Sequence, residues 1–331
     1  MNISILGAGA WGTALAISLA AKNDVVLWGR NQLMMAQLQT DRVNQDYLAG
    51  FTFPQALIAT SDFDLALKHI QASGLLIIAS SVAGMRPILS LCLPYQLKQV
   101  VWLCKGFEEG SQLLPHQIVK EVLGDQVAGG ALSGPSFAQE VAKGLPCALT
   151  IASSSPELCQ QVVTAVHGKS IRVYTSDDVI GVEVGGAVKN ILAIATGIAD
   201  GLGLGLNARA ALMTRGLAEI SRLGVALGGL SETLMGLTGV GDLILTCTGD
   251  LSRNRKVGLA LAQGKSLATI VDELGHVAEG VRCAQAVRSL AERLKIEMPI
   301  SAAVAGVLFD GVSAQQTIES LLARDAKQEG H

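Results

Sequence analysis

The chain has 331 residues and a formal net charge of −3; half of the residues are apolar, 16% are charged and 4% are aromatic. That length exceeds one ordinary core, so two domains are expected, and the apolar content excludes a disordered or solvating chain. The Lys and Arg residues form no run or stripe and are not interleaved with aromatics, which argues against nucleic acid as a partner and leaves a small anionic substrate open.

Residues 2–6 read as a strand, 11–22 as a helix and 25–28 as a second strand. The continuous apolar runs at 75–79 (LLIIA) and 99–104 (QVVWLC) have the character of strands covered on both faces, with a helix at 82–92 between them. Short strands are expected at 128–132, 148–152 and 171–174. This alternation predicts an α/β fold with an N-terminal Rossmann-like, doubly wound and mainly parallel sheet. After Tyr174 the pattern changes. Helices are expected at 182–198, 208–223, 231–235, 242–246, 255–263, 267–274, 280–294 and 300–308. Ser313 with Gln316 forms a capping box before a last helix at 314–324, and Gly264 and Gly275 stand as helix stops. The division expected is a dinucleotide-binding domain over 1–177 and an all-helical, substrate-binding C-terminal domain over 178–331.

The six cysteines, at 92, 104, 147, 159, 247 and 283, include no C-x-x-C pair and lie at no zinc-ligand spacing. They read as free thiols in a reducing cytoplasm, and no metal site is expected. The apolar first twenty residues lack a basic leader and are broken by glycines, unlike a signal peptide. The best candidate for a membrane span, 181–206, carries Glu183, Lys189 and Asp200, so no span is expected.

The segment ISILGAGAWGTALAISLAA sets G-x-G-x-x-G between a strand and a helix, the context that separates a dinucleotide fingerprint from a chance match. Gly7 allows the tight turn, Gly9 the approach of a pyrophosphate, and Gly12 close helix–strand packing, while amides at the helix start hold the anion. An acid at the end of the second strand would select NAD. Here the strand runs into Gly29-Arg30-Asn31, and Arg30 suits a 2′-phosphate, which favours NADP(H) with NAD(H) possible. A solvated loop cation is the plainer reading of Arg30.

Lys105 ends the run QVVWLCK, at the carboxyl edge of a strand where ligands of such sheets lie, although a surface lysine is the commoner occupant of that position. Lys189 lies in GGAVKNILA, with Gly185, Gly186 and Ala193 as its helical neighbours. Small, apolar surroundings lower a lysine pKa toward what a general acid needs, and a structural ion pair with Glu183 is the competing reading. Asp242 and Thr246 share a helix face. Ser252-Arg253-Asn254 makes a plausible phosphate cradle, although helix capping alone accounts for Ser252 and Asn254.

Taken together, GAGAWGTALA, LWGRN, CKGFE, LSGPSFAQEV, GGAVKNILAIATGI, GLTGVGDLILTCTGDLSRNR and VAEGV resemble bacterial-type NAD(P)-dependent glycerol-3-phosphate dehydrogenases, in the family's order and over nearly the whole chain. The resemblance implies hydride transfer between a nicotinamide and C2 of dihydroxyacetone phosphate, giving sn-glycerol 3-phosphate for glycerophospholipid synthesis. It implies Gly7, Gly9, Ala10, Trp11 and Gly12 at the pyrophosphate, and Arg30 at the 2′-phosphate. Lys105 would touch cofactor and substrate. Gly134 and Ser136 would border the substrate, and Ala138 the cofactor. Lys189 would be the proton donor and acceptor, with Asn190 beside it. Asp242 would orient Lys189 and, with Thr246, Ser252, Arg253 and Asn254, would hold the substrate hydroxyls and phosphate, with Arg253 also near the cofactor. Val277 and Glu279 would complete the cofactor pocket. A cytoplasmic homodimer without a metal is implied. Two other readings are another hydroxyacid dehydrogenase of the same domain plan and a non-catalytic NADP(H) sensor.

Overall fold

The computed structural model describes residues 1–71, 73–275 and 278–323. Among the described residues, ten strands occur up to Ser176: β1 (Asn2–Leu6), β2 (Asp24–Trp28), β3 (Val43–Asn44), β4 (Ala49–Thr52), β5 (Leu57–Thr60), β6 (Leu75–Ile78), β7 (Gln99–Trp102), β8 (Ala128–Ser133), β9 (Cys147–Ala152) and β10 (Ile171–Ser176). Eight of them form one sheet in the order β10-β9-β8-β7-β6-β1-β2-β5, and β3 and β4 form a separate antiparallel pair. The large sheet is parallel except where β8 meets β9.

β1 shows why the sheet is buried on both faces. Ile3 and Ile5 enter one core layer with Leu15, Leu19, Leu27 and Ile77, whereas Leu6 enters the opposite layer with Val26, Leu76, Ile78 and Trp102. Ser4 is the polar member of the strand, and its hydroxyl donates to Ala66 O at 2.6 Å, so its burial leaves no unpaired group. Apolar runs without alternation follow from this two-sided burial.

Beyond Ser176 the described residues are helical. The centre is helix Val179–Gly201, in which every residue from Gly181 to Ala199 is buried. Helices Gly205–Ala226, Asp242–Thr248, Arg253–Ala262, Glu279–Leu294 and Pro299–Phe309 pack around it. A helix apolar on all sides must be enclosed by protein or by lipid. This one passes a length and hydropathy test for a membrane span, but 89% of its most apolar window is buried inside the protein. Its crossing with helix Arg253–Ala262 is built on glycine. A Cβ on Gly197 would fall on Arg255 O, and one on Gly258 would fall on Ile194 O.

Several expectations need correction. The strand expected at 99–104 ends at Trp102, so two residues separate it from Lys105; Leu103 N still donates to Ile78 O at 2.8 Å, which carries the chain on in near-strand form. The helix expected from residue 11 begins at Ala10 and ends at Leu19. Helices Gln32–Asp41, Phe63–His69, Pro115–Leu123, Ala138–Ala142 and Pro156–Val166, and the edge strand β5, had no counterpart in the sequence reading. Gln32–Asp41 buries only Met35 and Leu38, too few apolar positions to mark a helical face. A π-helical turn, Leu237–Gly241, precedes Asp242. Gly275 ends its helix in the left-handed conformation (φ 73°), and Gly264 follows its helix with φ 79°.

Candidate active site

The strand order reverses between β1 and β6, and in open parallel sheets ligands lie at such a switch point, outside the carboxyl ends of the strands. The glycine turn sits there. Gly7 has φ 132°, and a Cβ on it would meet Ala79 O, just past β6, at 2.6 Å. A Cβ on Gly12 would fall on Gly7 O. Gly9 differs, because a Cβ there meets nothing within 4 Å. That open concavity lies at the N-cap of helix Ala10–Leu19, whose cap has no side-chain hydrogen bond and whose first turn includes Trp11 and Gly12. Amides of a helix start, the helix dipole and space over Gly9 fit a pyrophosphate. Arg30 is exposed, just past β2 and before Asn31, the N-cap of helix Gln32–Asp41. It stands three strands, roughly 14 Å, from the end of β7.

The second centre forms where the helical half meets the sheet. Lys105 Nζ donates to Asp242 Oδ2 at 2.7 Å and to Gly134 O at 3.4 Å. Lys189 Nζ donates to Asp242 Oδ1 and to Thr246 Oγ1, each at 2.7 Å. Thr246 in turn donates to Asp242 O at 2.7 Å, the i, i−4 bond of helix Asp242–Thr248. One carboxylate therefore carries two ammonium groups. Burial draws the Lys189 ammonium down to about 8, with the charge of Lys105 adding to the fall and Asp242 opposing it. Burial alone would raise the Asp242 carboxyl, but Lys105 and Lys189 more than offset it and hold the group below the usual carboxylate range. The Lys105 chain crosses the central helix at Gly186, with Cγ and Cδ 3.5 Å from where a Cβ would stand, an ordinary van der Waals distance. The competing ion pair between Lys189 and Glu183 does not form, because Glu183 accepts from Trp102 and His116 instead.

Asn190, next along the helix, accepts at Oδ1 from Asn254 Nδ2 at 2.9 Å, and Asn254 Oδ1 accepts from Gly280 N at 2.9 Å. These bonds tie three helices together beside Lys189. Ser252 is the N-cap of helix Arg253–Ala262 and accepts from Arg255 N at 3.2 Å, as the capping reading holds. Asn254 is not the cap. Arg253 is exposed at the first helical position. Glu279 opens helix Glu279–Leu294; burial raises its carboxyl, against the pull of Arg253, Lys105 and Lys189. Ser136 donates to Gly134 O at 3.2 Å, and Ala138 begins a short helix just beyond. Val277 lies outside the described residues.

The fold thus brings Lys105, Gly134, Lys189, Asp242 and Thr246 into one hydrogen-bonded cluster, with Asn190 and Asn254 adjoining. The glycine turn and Arg30 lie along the same sheet edge without joining it. The cleft beside Lys105 and Glu279 is also lined by Phe107, from the CKGFE segment, and by Ser81, Ala83 and Arg282, which lie in none of the motifs. Ser81 is the N-cap of helix Val82–Cys92, and only its place after β6 could have signalled it.

A family model described as NAD-dependent glycerol-3-phosphate dehydrogenase N-terminus matches residues 2–159, and one described as the C-terminus of the same enzyme matches 178–319. A glycerol-3-phosphate dehydrogenase [NAD(P)+] of Paucimonas lemoignei is 69% identical over 99% of this chain and 98% of its own length. One from Janthinobacterium sp. (strain Marseille) is 66% identical over 99% of both chains. A crystal structure of glycerol-3-phosphate dehydrogenase from Coxiella burnetii superposes with a TM-score of 0.93 at 43% identity, covering 97% of this chain and 98% of the other. These likenesses do not favour the other hydroxyacid dehydrogenase or the non-catalytic sensor. The chain belongs to the NAD-dependent glycerol-3-phosphate dehydrogenase family.

Proposed function

We propose that this chain interconverts dihydroxyacetone phosphate and sn-glycerol 3-phosphate with NADPH, accepting NADH as well. The observation that carries the reading is the buried Lys189 ammonium, drawn down to about 8 and aimed by Asp242 and Thr246 beside a second cation, Lys105. When bound, the reduced nicotinamide supplies the hydride that C2 of the ketone receives. Lys189 gives the proton that the C2 oxygen gains, and Lys105 places positive charge near that oxygen as its negative charge develops. Asp242 fixes both ammonium groups without taking the proton, since its own carboxyl stays ionised.

Gly134, Ser136, Asn190, Thr246, Ser252 and Asn254 border or hold the substrate in this reading. Ala10, Trp11 and Ala138, with Val277 and Glu279, complete the cofactor site around the glycine turn. Arg253 binds the substrate phosphate, which supplies binding energy away from the reacting carbon. Arg253→Ala is therefore expected to raise KM for dihydroxyacetone phosphate by about 10- to 100-fold, the loss of one charge-assisted contact, with a smaller change in kcat. Steady-state kinetics check this, and an unchanged KM removes the assignment.

Arg30 carries the preference for NADPH. In Arg30→Asp the ratio of kcat/KM for NADPH to that for NADH should fall at least about tenfold, because an acid there repels a 2′-phosphate and accepts from a ribose hydroxyl. A ratio equal to wild type makes Arg30 a plain surface cation. We place the domain division near residue 177, between β10 and the helix capped by Asp178. A homodimer in the cytoplasm, feeding glycerophospholipid synthesis, is the setting that fits the family. The direct test of the function is NADPH oxidation on adding dihydroxyacetone phosphate, repeated with NADH; no oxidation with either sinks it.

A further inference from the structure

Glu183 is buried in the central helix, and its carboxylate is fully committed to the sheet half of the molecule. Oε1 accepts from Trp102 Nε1 at 2.9 Å and from His116 N at 2.9 Å, and Oε2 meets His116 Nδ1. Trp102 is the last residue of β7, three positions before Lys105, and His116 lies in the first turn of helix Pro115–Leu123. Glu183 and Gly186 are one helical turn apart, and Lys105 crosses the helix at Gly186. Lys189 lies about 9 Å along the same helix from Glu183, and about 4.5 Å beyond Gly186.

A buried carboxylate is costly unless its hydrogen bonds are satisfied. Apolar contact would join the two halves without that cost, but it slides more easily than three directed bonds do. Here those bonds define where the end of β7 stands along the helix. Asp242 then needs both ammonium groups at 2.7 Å, one from each half.

We propose that Glu183 is a positioning residue for the reaction assigned above: by pinning Trp102 and His116 to the central helix, it sets the register in which Lys105 and Lys189 meet across Asp242. It touches neither reactant and acts through the lysines. The inference rests on the proposed function for its kinetic test, but the register can also be read without substrate.

The test compares Glu183→Ala, Glu183→Gln, Trp102→Phe and the double variant Glu183→Ala/Trp102→Phe. In Glu183→Ala, kcat for dihydroxyacetone phosphate reduction should fall by about 10- to 100-fold, the scale of an ångström-level misplacement, with the dissociation constant for NADPH unchanged within about twofold. The double variant should lose little more than Glu183→Ala alone, because both changes cut the same link. Glu183→Gln should recover part of kcat, since its carbonyl oxygen still accepts from Trp102 and His116 N–H. In the apo protein, carbon-13 NMR of labelled lysine should show the titration of Lys189 moving upward from about 8 in Glu183→Ala, as a loosened junction admits water. Folded variants with wild-type kcat and an unmoved Lys189 titration overturn the proposal, leaving Glu183 a purely structural bond. If Glu183→Ala does not fold, Trp102→Phe and Glu183→Gln give the same two readouts. If the wild-type protein does not reduce dihydroxyacetone phosphate, the proposed function fails, while the Lys189 titration still decides the clamp.

Discussion

Replacing Lys189 with Ala lowers kcat for dihydroxyacetone phosphate reduction by about 10²- to 10⁴-fold, the range supplied by a positioned general acid. The fold should persist. Alanine is the best helix former, and Asp242, which would otherwise be left as an unpaired buried charge, keeps Lys105 at 2.7 Å. Affinity for NADPH, followed by fluorescence titration, should stay within about twofold of wild type, because Lys189 is not part of the glycine turn assigned to the pyrophosphate.

The pH dependence carries a sign that tests the same residue. Reduction needs the ammonium form. With Lys189 drawn down to about 8 in the free protein, kcat/KM for reduction should fall as pH rises through that value. Oxidation of glycerol 3-phosphate needs the neutral amine, so its kcat/KM should rise through the same pH. In Lys189→Ala both limbs should vanish from the residual rate. Unchanged reduction in this variant, or limbs that survive it, would remove Lys189 as the acid.

The second large effect is at the glycine turn, where two substitutions separate packing from binding. In Gly12→Val the new Cβ would fall on Gly7 O and stand 2.9 Å from Ala79 Cβ, so helix Ala10–Leu19 must lift away from β1. Overpacking of this kind costs about 1–3 kcal/mol, and the moved amides should reduce NADPH affinity more than about 100-fold. In Gly9→Ala the Cβ meets no protein atom within 4 Å. The thermal midpoint should hardly change, yet the methyl occupies the approach to the helix amides, and affinity should fall by at least about tenfold. Calorimetric titration with NADPH, alongside thermal unfolding, reads both. Wild-type affinity in a folded Gly9→Ala protein would rule out the pyrophosphate site over that residue.

Much of the architecture was legible because it is encoded over short spans. The fully buried strand β6 announces itself as an unbroken apolar run, β1 is marked by the glycine turn that follows it, and the helix Val82–Cys92 and the capping box at Ser313 and Gln316 lie where local pattern puts them. Two of the elements without a counterpart in the sequence bury little. β5 alternates buried and exposed residues over only four positions, and Gln32–Asp41 offers two buried side chains. Their formation depends on the sheet edge and neighbouring helices that cover them, which no local window contains.

The sequence by itself determined the strand–glycine–helix turn, the change from alternating to all-helical structure after Tyr174, and which polar residues stand out in apolar surroundings. Turn geometry and hydrophobic periodicity act between residues a few positions apart, so they can be read locally. Only the tertiary structure decided how those residues are paired. Lys105 reaches Asp242 across 137 positions and Lys189 reaches it across 53. It also took Glu183 away from Lys189 and gave it to Trp102 and His116, 81 and 67 positions away. Charge and hydrogen-bond capacity belong to single residues, but which partner satisfies them is set by helix crossings as close as Gly197 against Gly258 and by where Lys105 crosses the central helix. Those approaches exist only once both cores have formed.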